Sequence, residues 1–283
     1  MKIKLVASDL DGTIIDKNNN ISDNNFKAIN KLVKKNVKFA ICTGKSYAVS
    51  KSICQKFDAN YGIFGNGTQI IDLKTGKELY RKILSKKDLL FITTFAKRSN
   101  FHTHLYTEND IITEKLEYMD LRNYVLKSKN PNNTLNFIIV PDIIDYIEKN
   151  DINVFSMVVS TENTKLKSFK NILSINDDII CTYINKRGKY KDLIIDKSYE
   201  YLNISPSNIN KNEALKILSK YLDISSQEIM AIGDNINDLE MVKNSGIGVA
   251  VLEAYDDLKN VAKYITTTSV SNGAFAEAVN KFI

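Results

Sequence analysis

Two short acidic clusters, one near each end of the chain, contain the side chains best suited to chemistry. Residues 9–13 read DLDGT and follow the apolar run 3–7, and residues 233–238 read GDNIND and follow the apolar run 229–232. Each cluster places carboxylates where a buried strand would end, which is the edge of a parallel sheet at which ligands bind. Four carboxylates at one edge repel one another unless a cation neutralises them, and oxygen ligands favour Mg²⁺. We therefore predict a magnesium site built from both ends of the chain.

The first cluster can supply a nucleophile and a general acid. Because the Asp11-Gly12 step allows a sharp turn, one of the carboxylates of Asp9 and Asp11 can face a metal while the other lies over a substrate. That arrangement suits a carboxylate nucleophile beside a general acid and base. An Asp-x-Asp pair also occurs in surface turns, glycosyltransferases and Ca²⁺ loops, and Asp234 and Asp238 could simply cap a helix. The prediction therefore depends on both clusters meeting at one edge.

Two further positions could bind an anion. Thr43 and Gly44 lie at a third strand-to-helix junction, where a hydroxyl and free backbone N–H groups can hold a phosphate. Lys211 begins the first helix after the central part of the chain. Taken alone, an ordinary helix cap would explain Thr43 and a solvated surface charge would explain Lys211.

The elements that must position these residues alternate between strand and helix in both terminal parts of the chain. The predicted apolar strands lie at 3–8, 37–42, 61–64, 229–232, 248–251 and 264–266. Repeated strand-helix units predict an α/β fold with a doubly wound parallel sheet.

The middle of the chain does not continue this repeat. Its predicted strands come in looser succession, one of them over 190–195, and a helix is predicted over 116–126. The pattern indicates an α+β insertion. We predict a core formed by residues 1–82 and 200–283, with an inserted domain over residues 83–199.

Composition limits the partners and the compartment. The 283 residues are 43% hydrophobic and 25% charged, and the net charge of +6 is dispersed, without a basic block that would bind nucleic acid. No apolar run approaches the roughly 20 residues that span a bilayer. The first strand begins at once, so no signal peptide is expected, and the three cysteines form no CxxC pair. We predict a cytoplasmic protein without nucleic-acid or membrane partners; the sequence leaves its oligomeric state open.

These motifs, in this order, resemble those of the haloacid dehalogenase (HAD) superfamily. Residues 9–13 are similar to its first motif, Thr43 to the second, Lys211 to the third, and residues 233–238 to the fourth. The form of the fourth motif, together with the large insertion, resembles the Cof-type phosphatase subfamily. The resemblance implies a Rossmann-like core and an α+β cap domain that closes over the site and selects the substrate.

The resemblance also implies catalytic and metal-binding roles. Asp9 would attack phosphorus and form an aspartyl-phosphate, and Asp11 would protonate the leaving group and then activate water. Mg²⁺ would be held by Asp9, the backbone carbonyl of Asp11 and Asp234, with Asp238 close by.

The residues that the resemblance assigns to phosphate binding are Thr43, Gly44, Lys211 and Asn237. Two positions depart from the subfamily pattern. Lys45 replaces the usual Arg, which keeps the charge but loses the bidentate geometry, and Asn212 replaces the Gly that usually follows the third-motif lysine. Asn66 matches the Asn of a subfamily Asn-Gly pair. We regard Lys45 and Asn66 as candidate substrate contacts.

We therefore expect a Mg²⁺-dependent phosphatase that acts on small phosphorylated metabolites, such as sugar phosphates, pyridoxal phosphate (PLP) or flavin mononucleotide (FMN). Two alternatives remain open. A phosphomutase on the same core would return the phosphoryl group to its substrate and yield an isomer. A ligand-binding regulator that kept the fold without turnover would release no phosphate.

Overall fold

The structure, a computed structural model, describes residues 2–115, 136–162, 166–184 and 199–283. Two compact units make up the chain: Met1–Arg81 together with Ile209–Ile283, and Lys82–Asn208. The helix predicted over 116–126 and the strand predicted over 190–195 lie outside the described residues. No helix in the described ranges is long and apolar enough to cross a membrane.

The regular elements are numbered here in chain order over the described residues. The strands are β1 (Leu5–Ser8), β2 (Lys38–Cys42), β3 (Tyr61–Phe64), β4 (Gln69–Asp72), β5 (Glu78–Arg81), β6 (His102–Tyr106), β7 (Asp110–Thr113), β8 (Asn136–Ile139), β9 (Ser156–Glu162), β10 (Ile179–Tyr183), β11 (Tyr199–Pro206), β12 (Ile229–Gly233), β13 (Ile247–Ala250) and β14 (Tyr264–Ile265). The α-helices are α1 (Asp23–Lys34), α2 (Tyr47–Lys56), α3 (Lys86–Arg98), α4 (Ile143–Lys149), α5 (Leu166–Leu173), α6 (Lys211–Tyr221), α7 (Leu239–Asn244), α8 (Asp256–Val261) and α9 (Ala274–Phe282).

The first unit contains an eight-stranded sheet in the order β14-β13-β12-β1-β2-β3-β4-β5. Pairing is parallel from β14 to β3, and β4 and β5 are antiparallel additions at one side. Leu5, Val6 and Ala7 of β1 are fully buried, as expected for a strand of a parallel sheet covered on both faces. The predicted α/β fold with a parallel-sheet core is confirmed, and β1 lies in the middle of the sheet.

Helix α1 shows how the local sequence sets the helices of this unit. The Ser22 hydroxyl accepts a hydrogen bond from the Asn25 N–H at 3.2 Å, so Ser22 is the N-cap that its residue type favours. Ala28, Ile29 and Leu32 are buried and share one face of the helix. Capping therefore fixes where the helix starts, and the apolar face packs it into the core.

The second unit contains a six-stranded sheet in the order β10-β11-β9-β6-β7-β8, antiparallel except for the β7–β8 pair. Leu105, Met157 and Leu202 from three of its strands share a buried core with residues of α3, α4 and α5. Because β11 pairs with both β9 and β10, this unit extends to Asn208. The predicted return to the core at residue 200 thus falls inside β11, a strand of the second unit that was not among the predicted strands.

All three cysteines are free and buried. Burial raises the pKa of all three thiols, Cys42 included, to about 12 for Cys54 and to about 11 for Cys181. Protonated thiols are poor nucleophiles. These residues therefore serve the packing of the protein rather than thiol chemistry.

Glu277 of α9 anchors the residues that follow β14. Its carboxylate accepts hydrogen bonds from the Tyr264 hydroxyl at 2.6 Å and from the N–H groups of Thr267 at 2.9 Å and Thr268 at 2.6 Å. Desolvation by itself would raise the pKa of Glu277, but these hydrogen bonds outweigh it and lower the pKa to about 2. The carboxylate therefore stabilises the fold above its ordinary pKa of 4.5, and this contribution is lost as the pH falls toward 2.

Glu277→Gln removes the charge and one strong acceptor from this contact. We expect the variant to lower the free energy of unfolding by about 1–3 kcal/mol at pH 7. The difference from the wild type should shrink as the pH falls from 4.5 toward 2. Urea denaturation across this range measures both effects, with Glu240→Gln at an exposed position of α7 as the control. A difference that does not shrink on acidification contradicts the assignment.

Candidate active site

The two acidic clusters meet because β1 and β12 are neighbours in the sheet. The two strands run parallel with Ser8 opposite Ile232, and the Asp9 N–H donates to the Ile232 carbonyl at 3.0 Å. Residues that follow either strand therefore lie at the same edge. Carboxylate oxygens of Asp9, Asp234 and Asp238 lie within 4.8 Å of one another, and these three residues are called the acidic cluster below.

Asp238 reaches the acidic cluster through the tight turn that follows β12. A side chain at Gly233 would place its Cβ 2.4 Å from the Asp238 Cβ, so only glycine permits this approach. Asp238 Oδ2 accepts hydrogen bonds from the N–H groups of Asp234 and Asn235, both at 3.1 Å. Asp238 is fully buried, and these donors fix the orientation of its carboxylate.

Lys211 brings a positive charge to the cluster from a third element. It is the first residue of α6, whose N-cap, Asn210, accepts a hydrogen bond from the Glu213 N–H at 2.9 Å. The fully buried Lys211 Nζ donates at 2.6 Å to Asp9 Oδ1 and at 2.6 Å to Asp238 Oδ1. Because a buried charge is tolerated only when it is paired and hydrogen-bonded, the lysine and the cluster depend on each other.

Negative charge exceeds positive charge in this site. Burial raises the pKa of Asp9 to about 8; Lys211 opposes the shift, while Asp238 and Asp234 add to it. Burial alone would lower the pKa of Lys211, but Asp238 and Asp9 raise it, so the lysine stays charged. A divalent cation would relieve the remaining repulsion, and a ligand set made only of carboxylate oxygens fits Mg²⁺.

Asp11 lies beyond the end of β1, and its carboxylate is not part of the acidic cluster. The chain turns at Gly12, whose φ of 82° favours glycine. Asp11 Oδ1 accepts a hydrogen bond from Lys45 Nζ at 2.8 Å, and both side chains are partly exposed. Of the four residues predicted to ligate a metal, the structure thus brings together the carboxylates of three and pairs that of Asp11 with Lys45.

Thr43 and Gly44 follow β2, which is the neighbour of β1 on its other side. Thr43 is buried, and its Oγ1 accepts a hydrogen bond from the Lys45 N–H at 3.2 Å. The Thr43 carbonyl accepts from the Asn66 N–H at 3.1 Å. This segment leads from β2 toward α2 at the same edge of the sheet as the acidic cluster.

The structure also places four further polar residues in ways that the sequence did not specify. Asn237 Nδ2 donates to Asn66 Oδ1 at 2.9 Å, although separate roles were predicted for these two residues. Thr13 Oγ1 donates to Asp234 Oδ1 at 3.2 Å, and its place in the DLDGT motif was the only signal for such a contact. Asn212, which departs from the subfamily pattern, is buried in the first turn of α6.

Lys211→Met would leave the carboxylates of Asp9 and Asp238 buried without their cation. We expect it to lower the free energy of unfolding by about 3–5 kcal/mol when no metal is added. Lys216→Met changes an exposed lysine of the same helix, and its expected loss is below about 1 kcal/mol. Chemical denaturation in the presence of EDTA compares the two variants; equal losses would contradict the buried ion pairs.

The chain matches the family model of haloacid dehalogenase-like hydrolases over residues 6–279. It is 27% identical over 283 residues to the 5-amino-6-(5-phospho-D-ribitylamino)uracil phosphatase YcsE of Bacillus subtilis, covering 99% of this chain and 96% of YcsE. It is 25% identical over 276 residues to the phosphatase YwpJ of Bacillus subtilis, covering 96% of this chain and 97% of YwpJ. The crystal structure of a haloacid dehalogenase-like hydrolase from Bacteroides thetaiotaomicron shares the fold with a TM-score of 0.82 at 21% identity, over 100% of both chains.

The family match covers nearly the whole chain, so the resemblance carried by the motifs is confirmed. This protein belongs to the haloacid dehalogenase-like hydrolase family.

Proposed function

We propose that this hydrolase is a phosphatase that removes the phosphoryl group of small phosphorylated metabolites through an aspartyl-phosphate on Asp9. One observation carries the proposal: Asp9 Oδ1 lies 2.6 Å from the buried Lys211 Nζ, and two further carboxylates lie within 4.8 Å. The names of YcsE and YwpJ, both phosphatases, support the same class of reaction.

Mg²⁺ is the cofactor we propose. The acidic cluster would hold it, together with the backbone carbonyl of Asp11 that the family resemblance implies. When bound, Mg²⁺ would offset the charge of the carboxylates and polarise the phosphoryl group. A phosphate dianion needs this compensation, since three carboxylates otherwise repel it.

The proposed reaction has two steps. First, an oxygen of Asp9 attacks phosphorus, the P–O bond to the leaving group breaks, and Asp11 gives a proton to the leaving oxygen. Water then attacks the phosphorus of the aspartyl-phosphate, Asp11 takes a proton from that water, and the bond between phosphorus and the Asp9 oxygen breaks. Lys211 fixes the nucleophile throughout, because it donates to Asp9 Oδ1.

Phosphate binding would come from groups that lie around the same edge of the sheet. The proposed ligands of the phosphoryl oxygens are Thr43, Gly44, Lys211 and Asn237. Thr43 and Gly44 precede the N-cap of α2, Ser46, where backbone N–H groups favour an anion. Lys45 would meet the substrate from the exposed side, where it now contacts Asp11.

The substrates we propose are sugar phosphates and phosphorylated cofactors such as PLP and FMN. The name of YcsE adds 5-amino-6-(5-phospho-D-ribitylamino)uracil to the compounds worth testing. We propose that the unit Lys82–Asn208 selects among them, as the family resemblance implies.

Phosphate release from a panel of these compounds and an activated aryl phosphate tests the proposal. We expect release with Mg²⁺, none with EDTA, and a loss of about a thousandfold or more in Asp9→Asn, because an amide cannot attack phosphorus. Asp256→Asn, at a side chain that is 95% exposed, is the matched control. An isomeric product without free phosphate would indicate a mutase, and no release from any compound would contradict the phosphatase.

Lys45 offers a second test, because its ammonium group holds the carboxylate of the proposed general acid. We expect Lys45→Met to lower kcat/KM by about tenfold, since Asp11 loses the contact that orients it. Lys45→Arg keeps the charge and should retain most of the activity. Steady-state kinetics with Mg²⁺ distinguish the two variants. Because Lys45→Arg keeps the positive charge, an equal loss of kcat/KM in both variants would show that this charge alone does not orient Asp11.

A further inference from the structure

We infer that Asn66, in the turn Gly65–Gly67, is a positioning residue that holds the phosphate-binding segments of the site at a fixed spacing. The inference rests on the proposed function, because it concerns the groups that would bind the phosphoryl oxygens. The turn follows β3 and contacts three separate parts of the chain: the segment after β2, the turn after β12, and the start of α6.

Backbone hydrogen bonds join the Gly65–Gly67 turn to the segment after β2. The Gly65 N–H donates to the Lys45 carbonyl at 2.9 Å, and the Asn66 N–H donates to the Thr43 carbonyl at 3.1 Å. Gly44 lies directly against the Asn66 side chain, because a Cβ at residue 44 would be 3.1 Å from Asn66 Oδ1. The position of Asn66 thus limits where Thr43 and Gly44 can lie.

The Asn66 side chain makes the second connection. Its Oδ1 accepts a hydrogen bond from Asn237 Nδ2 at 2.9 Å, across 171 residues of sequence. In the sheet, β1 and β2 lie between β3 and β12, a separation of about 14 Å at the usual strand spacing. The two loops therefore converge across the strands that end at Asp9 and Thr43. This hydrogen bond orients the amide of Asn237, one of the proposed phosphate ligands.

Gly67 makes the third connection. Its φ is 111°, and a Cβ there would lie 2.4 Å from the carbonyl oxygen of Asn210. Asn210 is the N-cap of α6 and directly precedes Lys211. The close packing of Gly67 therefore sets where the helix that carries Lys211 begins.

The backbone conformation at position 66 does not by itself require an asparagine side chain. Asn66 has a φ of 56°, a conformation that glycine adopts without strain and asparagine tolerates. Asn36 has the same φ of 56° and is exposed on the same unit. Replacement by glycine therefore preserves the backbone at both positions, and only at position 66 does it remove the contact with Asn237.

Asn66→Gly is the first variant to test. We expect it to raise KM by about tenfold, the effect of losing one hydrogen bond that positions a ligand of a charged group, with kcat within about twofold of the wild type. We expect little change in kcat because Asp9 and Lys211 make no hydrogen bond to Asn66. Asn36→Gly should change neither parameter. An unchanged KM in Asn66→Gly overturns the inference.

A double-mutant cycle shows whether Asn66 acts through Asn237. If it does, Asn66→Gly combined with Asn237→Ala should have a KM within about twofold of that of Asn237→Ala alone. Independent effects that multiply in the double variant would overturn the inference. If Asn66→Gly merely disturbed the fold, its effect on KM would also multiply with the effect of Asn237→Ala.

Calorimetric titration with inorganic phosphate in the presence of Mg²⁺ separates this inference from the proposed function. Coupled losses of phosphate affinity in the two variants support the role of Asn66 even if the wild type releases no phosphate from any substrate. Mg²⁺-dependent release with no coupling between residues 66 and 237 leaves the phosphatase standing and overturns the inference. A wild type that neither releases nor binds phosphate overturns both.

Discussion

The buried contact between Lys211 and the carboxylates of Asp9 and Asp238 sets the conditions for the rest of this site. Moving charges out of water costs several kcal/mol per ion, and only close pairing offsets that cost. The lysine and both carboxylates must therefore reach one point from three elements, β1, α6 and the turn after β12. The pairing is incomplete, because three carboxylates face a single ammonium group. This excess of negative charge makes the site suited to a divalent cation.

The parallel sheet supplies the geometry that such a site needs. Its central strands are apolar and buried, so polar side chains can collect only beyond their carboxyl ends. With β12 on one side of β1 and β2 on the other, the residues that follow these three strands share one edge. Lys211 joins them from α6, which begins after the whole second unit. The site therefore forms only once the two distant parts of the first unit have paired.

The contacts of the site form a buried layer and an exposed layer, which differ in their access to water. Lys211 and Asp238 are fully buried, and their contacts hold the nucleophile in one arrangement. The contact between Lys45 and Asp11 is partly exposed, and that between Asn66 and Asn237 is exposed. The exposed ion pair of Lys45 and Asp11 contributes little stability and can exchange partners at low cost. The buried layer is thus suited to orient the reacting group, and the exposed layer to meet a phosphorylated ligand.

The sequence by itself determined the α/β class, the family and the acidic residues that meet, because buried strands and the residues after them form a local pattern. It did not determine β11, a strand that was not predicted and that forms by pairing with β9 and β10 of the second sheet. Nor did it pair Asp11 with Lys45 or Asn66 with Asn237. Those contacts depend on how loops far apart in sequence are placed by the sheet, and only the tertiary structure decided them.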